Sequence, residues 1–184
     1  YWRQHLNFKL QCHSHQEPKD NNQIIPIEAK PSEAITFVDS DWGGDRSHRK
    51  STTGYTILIV NEAVLYKTKF QSTIALSSTE AEFTSVCDAG QCSLFIRSLL
   101  NHVQLPQHNA TVLYEDNNGA LLMANAGKPT RRARYLELKH FAIQDWVENN
   151  LLGLKWVSSS NNFSDSLTKV LGQTLQYKHM DYIM

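Results

Sequence analysis

The run Ser77-Ser78-Thr79-Glu80-Ala81-Glu82 places three hydroxyl side chains directly ahead of two glutamates. Hydroxyl residues favour the position before a helix and acids favour its first turn, so the run predicts the start of a helix. Steps of four and three residues from Glu82 meet an almost wholly apolar stripe of Val86, Ala89, Ser93, Ile96, Leu100 and Val103. The helix is therefore predicted to reach Val103, with Glu82 on its buried face.

Glu80 and Glu82 are predicted to have different surroundings, although only one residue separates them. At about 100° per residue their side chains point roughly 200° apart, which leaves Glu80 in solvent. A carboxylate at the head of a core-facing stripe is costly unless it is paired or binds a metal, and this favours a function for Glu82. The alternative is a capping box, in which Glu82 bonds back to the helix start and Thr79 is the N-cap residue.

Three β-strands are predicted ahead of this helix. Apolar and β-branched residues indicate strands over 34–40, 54–60 and 63–67. Asn61-Glu62 turns the chain between the second strand and the third. The three strands are expected to form a meander.

The chain after the helix is predicted to alternate between strands and helices. The predicted strands cover 111–115 and 154–157, and the predicted helices cover 120–124, 135–149 and a segment that opens at Asp165 behind the N-cap candidate Ser164. The order strand, helix, strand, helix is typical of an α/β fold.

Two aspartates extend apolar faces at the carboxyl ends of predicted strands. The residues that share a face by alternation are Ile35, Phe37 and Asp39 in the first strand and Val112, Tyr114 and Asp116 in the fourth. The carboxyl ends of strands are where α/β sheets bind ligands. Asp41 has the same parity as Asp39 and is its alternative, although Trp42-Gly43-Gly44 indicates that the chain is already turning there.

Four carboxylates, those of Asp39, Glu82, Asp116 and Asp165, stand where a predicted strand ends or a predicted helix begins. Phosphodiester cleavage puts negative charge on the attacking and leaving oxygens together, and two divalent cations about 4 Å apart stabilise both. Magnesium prefers oxygen ligands, so acids without His or Cys suit it. A single acid of this kind is far more often a helix cap or part of a solvated turn than a metal ligand, and only the set of four indicates a two-metal nuclease.

Composition permits this interpretation without proving it. The chain has 184 residues, 41% of them hydrophobic, and 18 basic residues balance 18 acidic ones, so a nucleic-acid partner must be recognised by local patches. Three unpaired cysteines argue against a disulfide framework. The sequence contains no signal peptide and no membrane-spanning run.

The polar linker character of residues 17–22 predicts a boundary near residue 33.

Several ordered blocks resemble the ribonuclease H domain of copia-type retrotransposon polyproteins. The blocks are Phe37-Val38-Asp39-Ser40-Asp41-Trp42-Gly43-Gly44-Asp45, Arg49-Lys50-Ser51-Thr52-Thr53-Gly54-Tyr55, Ala75-Leu76-Ser77-Ser78-Thr79-Glu80-Ala81-Glu82-Phe83, Glu115-Asp116-Asn117-Asn118-Gly119-Ala120 and Phe163-Ser164-Asp165-Ser166-Leu167-Thr168-Lys169. The likeness covers residues 34–170, and by position the metal-binding and catalytic acids of the family fall on Asp39, Glu82, Asp116 and Asp165.

The resemblance implies both a fold and an activity. The fold would be a ribonuclease-H-like five-stranded mixed sheet flanked by helices, its first three strands an antiparallel meander. The activity would be cleavage of the RNA strand of RNA–DNA hybrids with two Mg²⁺ ions, for which Mn²⁺ is a plausible substitute. Residues 1–33 would be the tail of the preceding reverse transcriptase, residues 34–170 the ribonuclease H domain and residues 171–184 a C-terminal extension. The resemblance also implies an intracellular protein, in cytoplasmic virus-like particles, with no membrane partner.

Two basic clusters and three polar residues are candidates for contact with nucleic acid. The clusters are Arg46, Arg49 and Lys50, and Lys128, Arg131, Arg132 and Arg134; the polar candidates are Ser78, Thr79 and Asn117. Basic groups track phosphates irrespective of sequence. A solvated surface explains the basic residues equally well, and helix capping explains the polar ones.

The chain also departs from the family. It has Tyr135 and Glu137 where a His and an Asp are common, Val170 where Pro is usual, and no His in the loop before Asp165. A non-catalytic ribonuclease-H-like module that positions nucleic acid is the alternative function, but such a module is expected to lose acids. An integrase or transposase core is a further alternative, whose catalytic set would end in a helical Glu.

Overall fold

A mixed five-stranded sheet organises the computed structural model, which describes residues 33–125 and 134–183. The strands are β1 (Ala34–Asp41), β2 (Thr52–Ile59), β3 (Glu62–Phe70), β4 (Thr111–Glu115) and β5 (Leu152–Trp156). The helices are α1 (Ser78–His102), α2 (Asn118–Asn125), α3 (Arg134–Glu148), α4 (Asp165–Thr168) and α5 (Gln173–Ile183), and a short 3₁₀ turn covers Ser159–Asn161.

The strand order is β3-β2-β1-β4-β5. β1, β2 and β3 form an antiparallel meander, whereas β4 runs parallel to both β1 and β5. This arrangement confirms the predicted mixed sheet. It also brings the carboxyl ends of β1 and β4 to the same edge, since the two strands are parallel neighbours.

The central strand β1 is buried on both faces, and each face has its own core. The first core lies between the sheet and α1 to α3 and includes Val38, Phe83 and Leu113. The second core lies on the other face and is built from Ile35, Phe37, Leu58, Val157 and Phe163. Both α4 and α5 contact strands of the sheet. Because β1 is covered from both sides, a carboxylate at its end is held away from bulk water.

The start of α1 shows that Glu82 is not a capping residue. Ser77 is the N-cap residue, and its Oγ accepts a hydrogen bond from the Glu80 N–H at 3.1 Å. The Glu80 carboxylate in turn accepts from the Leu76 N–H at 2.9 Å. The capping-box alternative for Glu82 is therefore wrong. The N-cap residue is Ser77 rather than Thr79, and the glutamate that bonds back to the helix start is Glu80.

Element boundaries differ modestly from the predicted ones. β2 and β3 are longer than predicted, because their pairing continues across residues that lack apolar alternation. β5 begins two residues earlier, at Leu152, and α1 ends at His102, with Val103 64% exposed. The apolar stripe therefore extends further along the chain than the part of α1 that packs against the core.

Two segments near the C-terminal end make contacts that the sequence did not predict. Ser164 precedes α4, but its hydroxyl makes no cap and instead donates to the Phe37 carbonyl oxygen at 2.7 Å. Residues 171–184, predicted as an extension, contain α5, which packs against β3 and buries His179. The N-terminal segment was predicted over residues 1–33, and residues 1–32 of it lie outside the described residues.

Candidate active site

Three carboxylates from three different elements converge at the carboxyl edge of the sheet. Asp39 lies near the end of β1, Glu82 in the second turn of α1 and Asp116 directly after β4. One carboxylate oxygen from each lies within 4.8 Å of the corresponding oxygens of the other two. Asp39 and Glu82 are buried and Asp116 is half-buried, so the cluster opens to solvent on the Asp116 side.

Burial and mutual repulsion both disfavour ionisation of this cluster. Burial, and then the nearby charge of Asp165, raises the pKa of Asp39 to about 7. Burial, followed by the charges of Glu115 and Asp39, raises the pKa of Glu82 to about 11. The Glu82 Oε2 atom has no hydrogen-bond partner. The carboxyl groups are therefore favoured in their neutral form, and a bound cation is what would stabilise them as carboxylates.

Asp165 is the fourth predicted acid, and it lies beside Asp39 rather than within the three-carboxylate cluster. It opens α4 and is 3% exposed. The Lys169 Nζ atom lies between the two acids, 3.2 Å from Asp165 Oδ1 and 3.5 Å from Asp39 Oδ1. Burial alone lowers the pKa of Lys169, but Asp39 and Asp165 outweigh it and the pKa is raised. Lys169 is therefore an ammonium ion at neutral pH.

Gly54 permits α4 to lie this close to Asp39. It is the partner of Asp39 in the pairing of β1 with β2. A Cβ atom at Gly54 would lie 2.5 Å from Thr168 Cγ2 and 3.0 Å from Leu167 Cβ. With no side chain in the way, the Thr168 hydroxyl reaches Asp39 and donates a hydrogen bond to Oδ2.

Glu115 adds a buried carboxyl group that was not among the predicted site residues. This residue is fully buried, and its Oε1 atom accepts a hydrogen bond from the Asn117 N–H at 2.9 Å. Burial raises the pKa of Glu115 well above its ordinary value, and Asp116 and Asp39 raise it further. Strand alternation contained the signal, because it places Glu115 on the face of Leu113, opposite to Asp116.

Asp116 is held by the end of β5 and by the segment that follows it. Its Oδ2 atom accepts a hydrogen bond from the Ser159 hydroxyl at 2.5 Å, and its carbonyl oxygen accepts from the Trp156 indole at 3.1 Å. Asp41, the alternative to Asp39, is the last residue of β1, and its carboxylate lies against Gly44 in the turn that follows. Asp41 is not a member of the three-carboxylate cluster.

Known proteins share both the sequence pattern and the fold. The chain is 30% identical over 138 residues to the retrovirus-related Pol polyprotein from transposon RE1 of Arabidopsis thaliana, which covers 75% of the chain and 9% of that polyprotein. It is 29% identical over 135 residues to the Pol polyprotein from transposon TNT 1-94 of Nicotiana tabacum, which covers 73% of the chain and 10% of the polyprotein. The chain thus spans about a tenth of the length of these relatives. No protein-family model matches it.

Solved structures show the same architecture at low sequence identity. The N-terminal RNase H domain of a Mycobacterium tuberculosis protein superposes with a TM-score of 0.54 at 8% identity, covering 81% of this chain and 96% of that one. LC11-RNase H1, solved in complex with an RNA/DNA hybrid, gives a TM-score of 0.53 at 11% identity, covering 73% of this chain and 93% of that one. The chain is related to retrotransposon Pol polyproteins and has the ribonuclease H fold.

Three predicted nucleic-acid contacts of this ribonuclease-H-like domain lie at helix starts beside the cluster. Ser78 and Thr79 are in the first turn of α1, and Asn117 precedes α2. The Asn117 Oδ1 atom accepts a hydrogen bond from the Ala120 N–H at 3.0 Å, so this side chain caps α2. Gly119 lets the two helix starts approach, since a Cβ there would lie 2.8 Å from the Thr79 Oγ1 atom.

The predicted basic contacts are only partly described. Arg49 is exposed and Lys50 half-buried in the turn between β1 and β2. Arg49 adopts a left-handed backbone conformation, and its N–H donates to the Asp45 carbonyl oxygen at 2.7 Å. Arg131, Arg132 and the side chain of Arg134 lie outside the described residues.

The donor set of the cluster fits a hard divalent cation. All of its groups are carboxylates, and the unpartnered Oε2 atom of buried Glu82 is an unused oxygen ligand.

Among the helices in the described ranges, none has the length and apolar character that a membrane span requires.

Proposed function

We propose that this domain hydrolyses the RNA strand of RNA–DNA hybrids during reverse transcription of a copia-type retrotransposon. The observation that carries the proposal is the convergence of Asp39, Glu82 and Asp116 within 4.8 Å on a ribonuclease H fold. The relationship to retrotransposon Pol polyproteins supports the biological setting.

The residues that would hold divalent ions are Asp39, Glu82 and Asp116, with Asp165 as a further ligand beside Asp39. We propose two Mg²⁺ ions, for which Mn²⁺ can substitute, because the donors are all carboxylate oxygens. Bound ions would supply activation of a water molecule and stabilisation of the leaving 3′ oxygen. Cleavage would then leave 5′-phosphate and 3′-hydroxyl ends.

The protein side chains have separate tasks around this centre. Burial of Asp39 and Glu82 excludes bulk water and strengthens electrostatic interactions at the reacting phosphate. The Ser159 hydroxyl holds the Asp116 carboxylate by a hydrogen bond, and the Glu115 carboxyl group accepts from the N–H of Asn117, the next residue. The cluster opens on the Asp116 side, which gives a phosphate group access to the carboxylates.

Recognition of the hybrid would use donors at the helix starts and basic side chains. The proposed contacts are Ser78, Thr79, Asn117, Arg49, Lys50, Arg131, Arg132 and Arg134. Helix N-termini present backbone N–H groups to phosphates, and the starts of α1 and α2 lie together beside the cluster. Contacts to 2′-hydroxyl groups would distinguish the RNA strand from the DNA strand.

We further propose that residues 34–170 are the ribonuclease H domain of a longer polyprotein. Residues 1–33 would then end the upstream reverse transcriptase, and residues 171–184 would be a C-terminal extension that carries α5. The reverse transcriptase would deliver the hybrid, and both would act inside cytoplasmic virus-like particles.

The test is cleavage of an RNA–DNA hybrid whose RNA strand is labelled, in Mg²⁺, by the wild-type chain and by Asp116→Asn. We expect the wild type to cut the RNA strand and the variant to be slower by at least about a hundredfold, since metal binding contributes several kcal/mol to such reactions. Asp88→Asn is the matched control, because Asp88 lies on α1 and pairs with Lys69 outside the cluster.

Cleavage that survives in Asp116→Asn, or equal cutting of duplex DNA by the wild type, would refute the proposed function. Loss of activity in Asp88→Asn as well would show that removing any acid disables the protein. In that case the cluster would have no special role.

A further inference from the structure

Lys169 occupies a position between two carboxylates that are proposed metal ligands. Its Nζ atom lies 3.2 Å from Asp165 Oδ1 and 3.5 Å from Asp39 Oδ1. The two acids are almost fully buried, whereas 38% of the lysine side chain is exposed. The ammonium group therefore reaches inward from solvent to buried negative charge.

The last residue of α4 and the residue that follows it contact both carboxylate oxygens of Asp39. The Thr168 hydroxyl donates to Oδ2, and the Lys169 ammonium lies against Oδ1. The Lys169 N–H also donates to the Asp165 carbonyl oxygen at 3.1 Å, which fixes the backbone at the end of this short helix. The side chain above that point has four rotatable bonds, so it can leave the carboxylates without unfolding α4.

We propose that Lys169 competes with a divalent cation for Asp39 and Asp165. The inference rests on the proposed function, in which these acids help to bind metal. Two cations cannot share the space between the same two carboxylates, because like charges repel at such separations. Lys169 holds the pair together until a divalent ion displaces it.

The competition explains why three of the four acids converge and Asp165 lies apart from them. Asp39, Glu82 and Asp116 offer converging oxygens, whereas Asp165 is the predicted ligand that does not join them. It is also the acid whose carboxylate lies nearest to Lys169. The lysine therefore weakens the Asp165 side of the centre for metal and leaves the three-carboxylate side available.

The first test measures Mn²⁺ binding to the full chain without nucleic acid, by electron paramagnetic resonance of the free ion. We expect Lys169→Met to bind Mn²⁺ roughly tenfold more tightly than the wild type, since one unit charge is removed a few ångströms from the ion. Lys169→Arg keeps the charge and should retain wild-type affinity. The control is Lys69→Met, because Lys69 is 39% exposed and also pairs with an aspartate.

The second test uses the wild-type chain, so it does not depend on a variant that folds. Amine acetylation followed by mass spectrometry compares the labelling of Lys169 with that of Lys69, with and without Mg²⁺. We expect Mg²⁺ to increase the labelling of Lys169 severalfold and to leave Lys69 unchanged. A purely structural lysine would keep the same reactivity.

The outcomes separate this inference from the proposed function. If the wild type binds Mn²⁺ but Lys169→Met binds it equally or more weakly, or if Mg²⁺ leaves the labelling of Lys169 unchanged, competition is refuted and the metal centre stands. If neither the wild type nor Lys169→Met binds Mn²⁺ at millimolar concentration, the proposed metal centre and the competition both fail.

Discussion

At the scale of single residues, the site is a set of acids whose burial opposes their ionisation. Asp39 is 1% exposed and Glu82 is 6% exposed, and each has other carboxylates nearby. Such an arrangement destabilises a protein unless the charges are neutralised by protons or cations. This free-energy cost of burying ionised carboxylates falls on the residues proposed to bind metal.

We predict that this cost appears as a pH dependence of stability when divalent ions are removed with EDTA. The pKa of Asp39 is raised from 3.8 to about 7 and that of Glu82 from 4.5 to about 11. A raised folded-state pKa contributes stability that is complete below the unfolded-state value and is lost as the pH rises through the folded-state value. The free energy of unfolding should therefore fall between pH 4 and pH 7, and further above pH 7.

Glu82→Gln provides the measurement that isolates one group. Chemical denaturation in EDTA should give the variant a higher free energy of unfolding than the wild type at pH 8, by at least about 1.4 kcal/mol, the equivalent of one pKa unit. The two proteins should be nearly equal at pH 4. Glu62→Gln, at an exposed position on β3, is the control and should show no such gain. A wild type whose stability rises from pH 4 to pH 7 would contradict the prediction.

The ambiguity between Asp39 and Asp41 is also a single-residue question. Asp39 belongs to the three-carboxylate cluster, whereas Asp41 lies against the turn at Gly44. We expect Asp39→Asn to lose at least about a hundredfold in the rate of hybrid cleavage, because several kcal/mol of transition-state stabilisation depend on the metal ligands. Asp41→Asn should stay within about threefold of the wild type. The reverse order of the two rates would make Asp41 the ligand.

At the scale of elements, the position of α4 against the sheet determines what Asp39 contacts. Gly54 lies opposite Asp39 in β2, and α4 fills the space that a side chain at this position would occupy. A strand glycine ordinarily weakens a sheet, so this one has a packing role. It brings Thr168 and Lys169 to the Asp39 carboxylate at the end of β1.

We predict that Gly54→Ala lowers the free energy of unfolding, although alanine loses less backbone entropy on folding than glycine does. The added methyl group would overlap Thr168 and Leu167, and overpacking of this kind costs about 1–3 kcal/mol. Gly153→Ala is the matched control in β5, since a Cβ there would lie 3.8 Å from the Ala110 Cβ atom. Thermal denaturation should show a lower melting temperature for the first variant alone. Equal melting temperatures would refute the packing role of Gly54.

At the scale of the whole molecule, the sequence predicted those features that depend on neighbours along the chain. The start of α1 follows from the Ser77 cap and the nearby glutamates, and the parity of Asp39 and Asp116 follows from strand alternation. The complete five-stranded mixed sheet and the role of Asp165 rested mostly on resemblance to a family. The cap and the strand alternation, by contrast, lie within a few residues of the features that they predict.

Apart from Glu115, the features that the sequence did not predict depend on contacts between distant residues. Lys169 meets Asp39 across 130 positions of the chain, and Ser164 bonds to Phe37 across 127. No local pattern encodes which side of a strand a later helix will cover. The exposure of Val103 has the same origin, because the apolar stripe does not reveal where the sheet beneath α1 ends.

The central claim is that three elements of the fold bring their carboxylates together to form a divalent-metal centre. Anomalous diffraction from crystals of the chain soaked in Mn²⁺ tests it most directly. We predict that the strongest peak lies at metal–oxygen bonding distance from Asp39, Glu82 and Asp116. A map with no peak at these carboxylates, or with its strongest peak bound to other residues, would contradict the claim.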